Sequence, residues 1–329
     1  MGTRKVKLGR VSDVDIRLLR IFKAVVECGG LAAAEVQLGI GRSTISTHLA
    51  DLETRLGTRL CDRGRSGFSL TSDGTRVFKA LLDLMHSLDD FQHEMAALHG
   101  AVSGDLSVGL VDNLVWDPEF NLSGAFGRFS QRADEVNLIV QVLSPDELER
   151  RLLEGTIHVG VMPIMHKVAG LEYDHLFEET SYLYCGRGHP LFDRPDAQID
   201  DVALAQCSYV RKAYTVDSSF QEKNDRLAHH VSAFHVEAIA ILILSGAHIG
   251  FLPEHYARNW ADKGELRAIR PSEWRADFEF GAVTRRNRSA SGAEAEFVKC
   301  LLASAKNAKR PRACGDSGFP RRRRYDSHF

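Results

Sequence analysis

The chain has 329 residues, 44% of them hydrophobic, and a formal net charge of −2. That length accommodates two domains with their own cores, and the apolar content excludes a disordered chain. The balance hides a division that suits one basic face against a polyanion: residues 1–65 hold 12 Lys and Arg against 7 Asp and Glu, residues 99–305 hold 20 against 30, and residues 306–329 hold 8 against 2.

Residues 1–12 are expected to be a flexible N-terminus, followed by a helix in DIRLLRIFKAVVECGG. Residues 30–57, GLAAAEVQLGIGRSTISTHLADLETRLG, then place small residues where two short helices must cross closely. Ala32, Ala33 and Ala34 leave little bulk beside Leu31 and Leu38, and Gly39 and Gly41 break the first helix. The second helix opens near Arg42 and Ser43, with Ile45, Leu49, Leu52 and Leu56 as its buried stripe. Its other face carries Arg42, Ser43, Ser46, Thr47 and His48, side chains suited to phosphates and base edges, and its N-terminal N–H groups favour phosphate oxygens. A helical hairpin with a solvated polar face is the plainer alternative.

The stretch TRLCDRGRSGFSLTSDG reads as a two-stranded wing with Arg63 and Arg65 at its tip, within reach of a phosphate backbone or a minor groove; a solvated basic turn is the alternative. A long helix over 72–99 follows, capped by Thr71 or Ser72 with Asp73 in its first turn. Val77, Leu81, Leu84, Leu88, Phe91, Met95 and Leu98 recur at alternating intervals of four and three. Such a narrow stripe calls for a partner helix from a second copy, or else for the chain's own domain. Residues 72 to 98 would span about 40 Å, enough to hold two DNA-reading heads apart.

From Gly104 the rhythm changes to short strands alternating with helices. DLSVGLVDN, VNLIVQVLS and IHVGVMP read as strands of a parallel βαβ arrangement, with helices in PEFNLSGAFGRFSQR and PDELERRLLEG. Ser144, Pro145 and Glu147 fit a capping box. A second lobe runs from about Ser181 through SYLYCGRGHPLF, CSYVRKAYT, a helix over 236–245 and HIGFLP, returning by GELRAIRP and FEFGAVTRR to a helix over 292–304. Two α/β lobes make a cleft at their strand ends.

The N-terminal segment resembles that of LysR-type transcriptional regulators. Besides the alanine-rich helix, the matching marks are Ser46, the pair Leu52-Glu53, Gly57, Arg63, Leu70-Thr71 and Gly74, and the resemblance extends to about residue 303. Departures are Leu31 and Cys61 where the family has aromatics, and Arg42 and Thr47 where it commonly has glutamine and arginine, so the operator sequence does not carry over. The resemblance implies an N-terminal all-α winged helix-turn-helix (13–71) with a long linker helix (72–99), then an α/β two-lobed effector-binding domain (104–304) akin to periplasmic solute-binding proteins. It also implies a dimer or tetramer on promoter DNA, a small-molecule effector between the lobes, and RNA polymerase as a partner if the protein activates. Asp112, Asn113, Ser144 and Pro145 would line the pocket, faced by Tyr209, Thr215 and Phe234. His158 stands where the family usually has aspartate.

No nucleophile, base and oxyanion set stands out, nor a phosphate loop or zinc motif, so neither an enzyme nor a cofactor is expected. His229, His230 and His235 read as a surface turn rather than a metal site. The apolar run Ala238 to Leu244 is too short to cross a bilayer, and no secretory signal opens the chain, so a cytoplasmic protein is expected, nucleoid-associated when bound. Weaker alternatives are a ligand-independent repressor, a solute-binding protein, and an oxidant sensor using Cys185 and Cys207. Residues 305–329, with Arg321 to Arg324, are expected to form a basic disordered tail.

Overall fold

The computed structural model describes residues 11–64, 67–97, 103–116, 120–213, 218–286 and 292–308. The N-terminal and C-terminal tails lie outside that set, as do the wing tip with Arg65, Leu98, Thr215 and Cys314.

Three helices build the head: α1 (Asp13–Glu27), α2 (Leu31–Leu38) and α3 (Arg42–Leu56). The small side chain of Ala34 lies fully buried between its neighbours, and α2 stops at Gly39, whose φ of 64° is left-handed. Leu18, Phe22 and Val25 of α1 meet Ile45, Leu49 and Leu52 of α3 in one core. Each such side chain contributes about 1.5–3 kcal/mol by burial. The wing follows as β1 (Cys61–Gly64) antiparallel to β2 (Gly67–Leu70), with Cys61 opposite Leu70.

The linker helix α4 spans Ser72–Ala97. Thr71 is its cap: the hydroxyl accepts from the Gly74 N–H at 2.9 Å and donates to the Arg59 carbonyl at 2.7 Å. Gly74 passes so close to the wing that a Cβ there would lie 1.9 Å from the Leu60 carbonyl oxygen.

The heptad stripe is divided, which corrects the expectation of one continuous partner-facing seam. Leu81 is 2% exposed inside the head's own core, and Val77, Leu84 and Leu88 pack against the same cluster. The head fills the first half of the stripe because α1 crosses α4 there, setting Phe22 edge-on to Phe78 with ring centroids 6.1 Å apart. Beyond it, Phe91 is 63% and Met95 38% exposed.

The second domain opens with β3 (Ser103–Leu110), α5 (Leu122–Arg132), β4 (Glu135–Val142), α6 (Pro145–Glu154) and β5 (Val159–Pro163), in which β4, β3 and β5 run parallel. Then come β6 (Leu171–Gly186), α7 (Asp201–Ala205), β7 (Tyr209–Lys212), α8 (Ser218–Asp225), β8 (His229–Ala233), α9 (Val236–Leu244), β9 (Ile249–Pro253) and α10 (Glu254–Ala261). The chain closes with β10 (Leu266–Ala268), β11 (Arg275–Arg285) and α11 (Gly292–Ala308). Strand order is β4-β3-β5-β11-β6-β9-β7-β8, with β10 beside β6.

The long strands β6 and β11 pair antiparallel along their length and serve both lobes. One end of β11 pairs with β5, while Ser181 to Cys185 of β6 pair with β9. The chain thus crosses between lobes on strands rather than loops. His158, the departure from the resembled family, has a local role: its Nδ1 accepts from the Ser107 N–H at 3.2 Å.

Candidate nucleic-acid interface and effector cleft

On α3, burial of Ile45, Leu49 and Leu52 turns Ser43, Thr47 and Ala50 outward. Arg42 begins the helix on an open flank, where its backbone N–H donates to Glu35 Oε1 at 3.2 Å and its guanidinium lies 3.4 Å from the same carboxylate. Thr47 donates its hydroxyl to the Ser43 carbonyl at 3.1 Å, and Ser46 is half-buried beside that face. His48 departs from the expected set. It sits on the flank toward α1, with Nε2 3.4 Å from the Arg17 guanidinium. Arg63 occupies β1 opposite Phe68.

Sequence reasoning missed the bracket that fixes α3 to α1. Arg55 donates to Asp15 at 2.9 Å, and Asp15 accepts from the Ser12 N–H at 2.8 Å. The Arg55 side-chain hydrogen bond, followed by those of Ser12, holds the Asp15 carboxyl well below the usual carboxylate range. The signal available was Ser12 with Asp15 three residues on, a capping box.

In the second domain the strand ends bring Asp112, Asn113, Ser144, Pro145 and Phe234 around one cavity of about 20 Å³. Asp112 Oδ2 accepts from the Val236 N–H at 2.6 Å and lies 3.7 Å from His235 Nδ1. Burial pushes its carboxyl up despite that hydrogen bond. Asn113 takes φ of 75°, its Nδ2 is 3.3 Å from His255 Nε2, and its Oδ1 is enclosed without a hydrogen-bond partner. Ser144 precedes α6 but makes no side-chain cap, and Glu147 turns instead to Arg150 and Arg151. The expected capping box is therefore absent, because two arginines one turn on compete for the Glu147 carboxylate.

Tyr209 is not on the cleft. It is fully buried, and its hydroxyl donates to Asn224 at 2.5 Å. Tyr209 opens β7, away from the strand end that meets the cavity, and its ring packs edge-on against Phe251 in the core with centroids 6.4 Å apart. Lys212 is the residue that reaches the cavity, joined by Glu179 of β6, and each is 6% exposed. Lys212 Nζ stands 4.5 Å from the Phe278 ring centroid, and Glu179 Oε2 lies 4.0 Å from His255 Nε2. Neither residue was singled out from sequence; a charged residue inside an apolar strand was the available signal. A wider groove of about 680 Å³ adjoins the cavity and shares Asp112 and Asn113 with it.

Burial pushes the Cys185 thiol up to about 11 and raises Cys207 as well. Among the described residues no group of three or more His, Cys, Asp and Glu could hold a metal, and no helix is long and apolar enough to cross a membrane.

Residues 16–75 match the bacterial regulatory helix-turn-helix protein, lysR family, and residues 99–306 match the LysR substrate binding domain. The chain belongs to the LysR family of transcriptional regulators. This LysR-type chain is 40% identical to the HTH-type transcriptional activator BauR of Pseudomonas aeruginosa over 92% of its own length and 99% of BauR. Full-length CbnR complexed with its target DNA matches at 21% identity and a TM-score of 0.59, over 88% of this chain and 99% of that one. A full-length OxyR variant from Pseudomonas aeruginosa matches at 17% identity and a TM-score of 0.61, over 91% and 96%. Those two structures establish the shared fold. Family membership makes this LysR-type chain a DNA-binding transcriptional regulator with an effector-binding domain, not an enzyme.

Proposed function

We propose that this LysR-type regulator binds double-stranded promoter DNA as a homodimer or homotetramer, and that a small molecule held between its lobes changes how the DNA is gripped. The observation that carries the reading is the course of α4. One end of the helix is packed into the reading head through Leu81, and its Asp83 is bonded to Arg285 of the second domain. A rearrangement of the lobes therefore has a mechanical route to the DNA-reading helix.

In this reading Arg42, Ser43, Ser46 and Thr47 meet phosphates and base edges, and Arg63 and Arg65 of the wing reach the adjacent backbone. His48 serves the α1–α3 seam. Phe91, Met95 and Leu98 meet a second copy. Asp112, Asn113, Ser144, Pro145 and Phe234 line the effector site. Kinship with BauR supports activation, with RNA polymerase as the partner and the cytoplasm as the compartment. The buried, poorly ionised Cys185 and Cys207 weigh against oxidant sensing, because the thiolate is the reactive form.

Footprinting the intergenic DNA beside the chain's own gene tests this. Two protected half-sites about 34–36 Å apart, or a multiple of that, support a dimer reading adjacent turns of the duplex. Uniform cleavage across the region, with or without metabolite extract, contradicts it.

A further inference from the structure

We propose that Asp112 and Asn113 form an intramolecular latch that holds the two lobes shut before an effector arrives, so that the effector enters the cleft only when the latch is released. The inference rests on the effector-cleft reading above and adds how access to that cleft is controlled. The cavity of about 20 Å³ holds little more than a water molecule, whereas the adjoining groove of about 680 Å³ has room for a metabolite. The lobes must therefore part before anything larger passes from groove to cavity.

Two consecutive side chains from the loop after β3 make the latch. In α9, His235 at the N-cap position makes no side-chain hydrogen bond to the helix. Asp112 supplies the cap from the other lobe, 124 positions away in sequence, by accepting from the Val236 N–H at 2.6 Å. A carboxylate suits that helix end, and the His235 ring 3.7 Å away adds attraction when it is protonated. Asn113 makes the second contact, with Nδ2 3.3 Å from His255 Nε2 in the first turn of α10. Its left-handed φ of 75° bends the chain where these neighbours reach two helices of the facing lobe.

Closure also has an opposing term, which keeps the latch releasable. It leaves Asn113 Oδ1 enclosed without a hydrogen-bond partner, and an unmade hydrogen bond disfavours the closed form. The strands β6 and β11 serve both lobes and form the hinge about which they part. Two polar contacts set against one unsatisfied acceptor give an equilibrium that a ligand can shift.

The test uses the full-length protein without added ligand, and it breaks one contact while reading the other. Asn113→Gly removes the α10 contact, and glycine accepts the left-handed backbone without strain. If the two contacts close together, this variant should speed hydrogen exchange of the Val236 amide about tenfold, although the Asp112 carboxylate that caps it is untouched. Asp112→Ala should enlarge the radius of gyration in small-angle scattering at unchanged oligomer mass, and Asp112→Asn, which keeps an acceptor for Val236, should restore it. The double variant Asp112→Ala with Asn113→Gly should open the protein no further than Asp112→Ala alone. Should one variant fail to fold, the other carries the test. Val236 exchange unchanged in Asn113→Gly overturns the proposal, as does scattering from Asp112→Ala identical to that of the unmutated protein. A footprint of the unmutated protein is taken in parallel. Its loss strikes the regulator reading, while exchange and scattering still decide the latch.

Discussion

Arg285, at the last position of β11, donates a hydrogen bond to Asp83 of α4 at 2.8 Å, across 202 positions of sequence. It joins the strand that serves both lobes to the helix that carries the reading head. Both side chains are partly open to solvent, so the pair contributes only about 0.2–1 kcal/mol to stability. Its consequence lies in the orientation it favours.

Asp83→Ala is accordingly expected to leave the melting temperature nearly unchanged while reducing the difference in DNA affinity between effector-free and effector-bound protein. A gel-shift titration with and without metabolite extract measures this. Arg285→Ala should give the same reduction, and the double variant no more than either alone.

Gly74→Ala should destabilise the head by about 1–3 kcal/mol, because the added methyl meets a backbone oxygen that cannot move without shifting the wing. Urea unfolding followed by circular dichroism reads the effect. An unchanged midpoint would show that the wing and α4 are packed less tightly than 1.9 Å implies.

The head was legible in the sequence because its pattern is local. Glycines stop helices, and a period of three and four marks the stripe of α3, so helix limits and wing both emerge from short windows. The heptads of α4 were visible too, but periodicity says only that a face is apolar. It does not say whether Leu81 meets the head or a second chain, a matter settled by where α1 crosses. In the second domain α7, α8, β8 and α10 escaped notice, since SSFQEKND and HHVSA are short and polar and take their form from tertiary packing. Glu179 and Lys212 were hidden for a related reason: strands far apart in sequence bring them together, and no spacing rule records it.

The division of the α4 stripe separates two substitutions that sequence periodicity would treat alike. Phe91→Glu should dissociate the dimer and leave the head folded, whereas Leu81→Glu should unfold the head itself. Sedimentation velocity together with helical circular dichroism distinguishes these outcomes. An intact dimer in Phe91→Glu would place the subunit contact elsewhere.

Asp112 gives a pH dependence of defined sign. Burial raises its carboxyl above the ordinary 3.8, so folding favours the protonated acid and that contribution is lost as pH rises through the raised value. Asparagine keeps an acceptor for the Val236 N–H and never ionises. The melting temperature of ligand-free Asp112→Asn relative to the unmutated chain should therefore increase as pH is raised from about 4 to about 7. A difference that shrinks over that range would mean Asp112 is stabilised as the anion.

The central claim is that α3 reads DNA sequence, and competition binding to native genomic fragments at moderate ionic strength tests it most directly. The unmutated protein should enrich a small set of promoter fragments over random competitor, with Ser46→Ala and Arg42→Ala each weakening that preference by about 1–3 kcal/mol. Equal retention of genomic and random DNA by the unmutated protein would contradict the account.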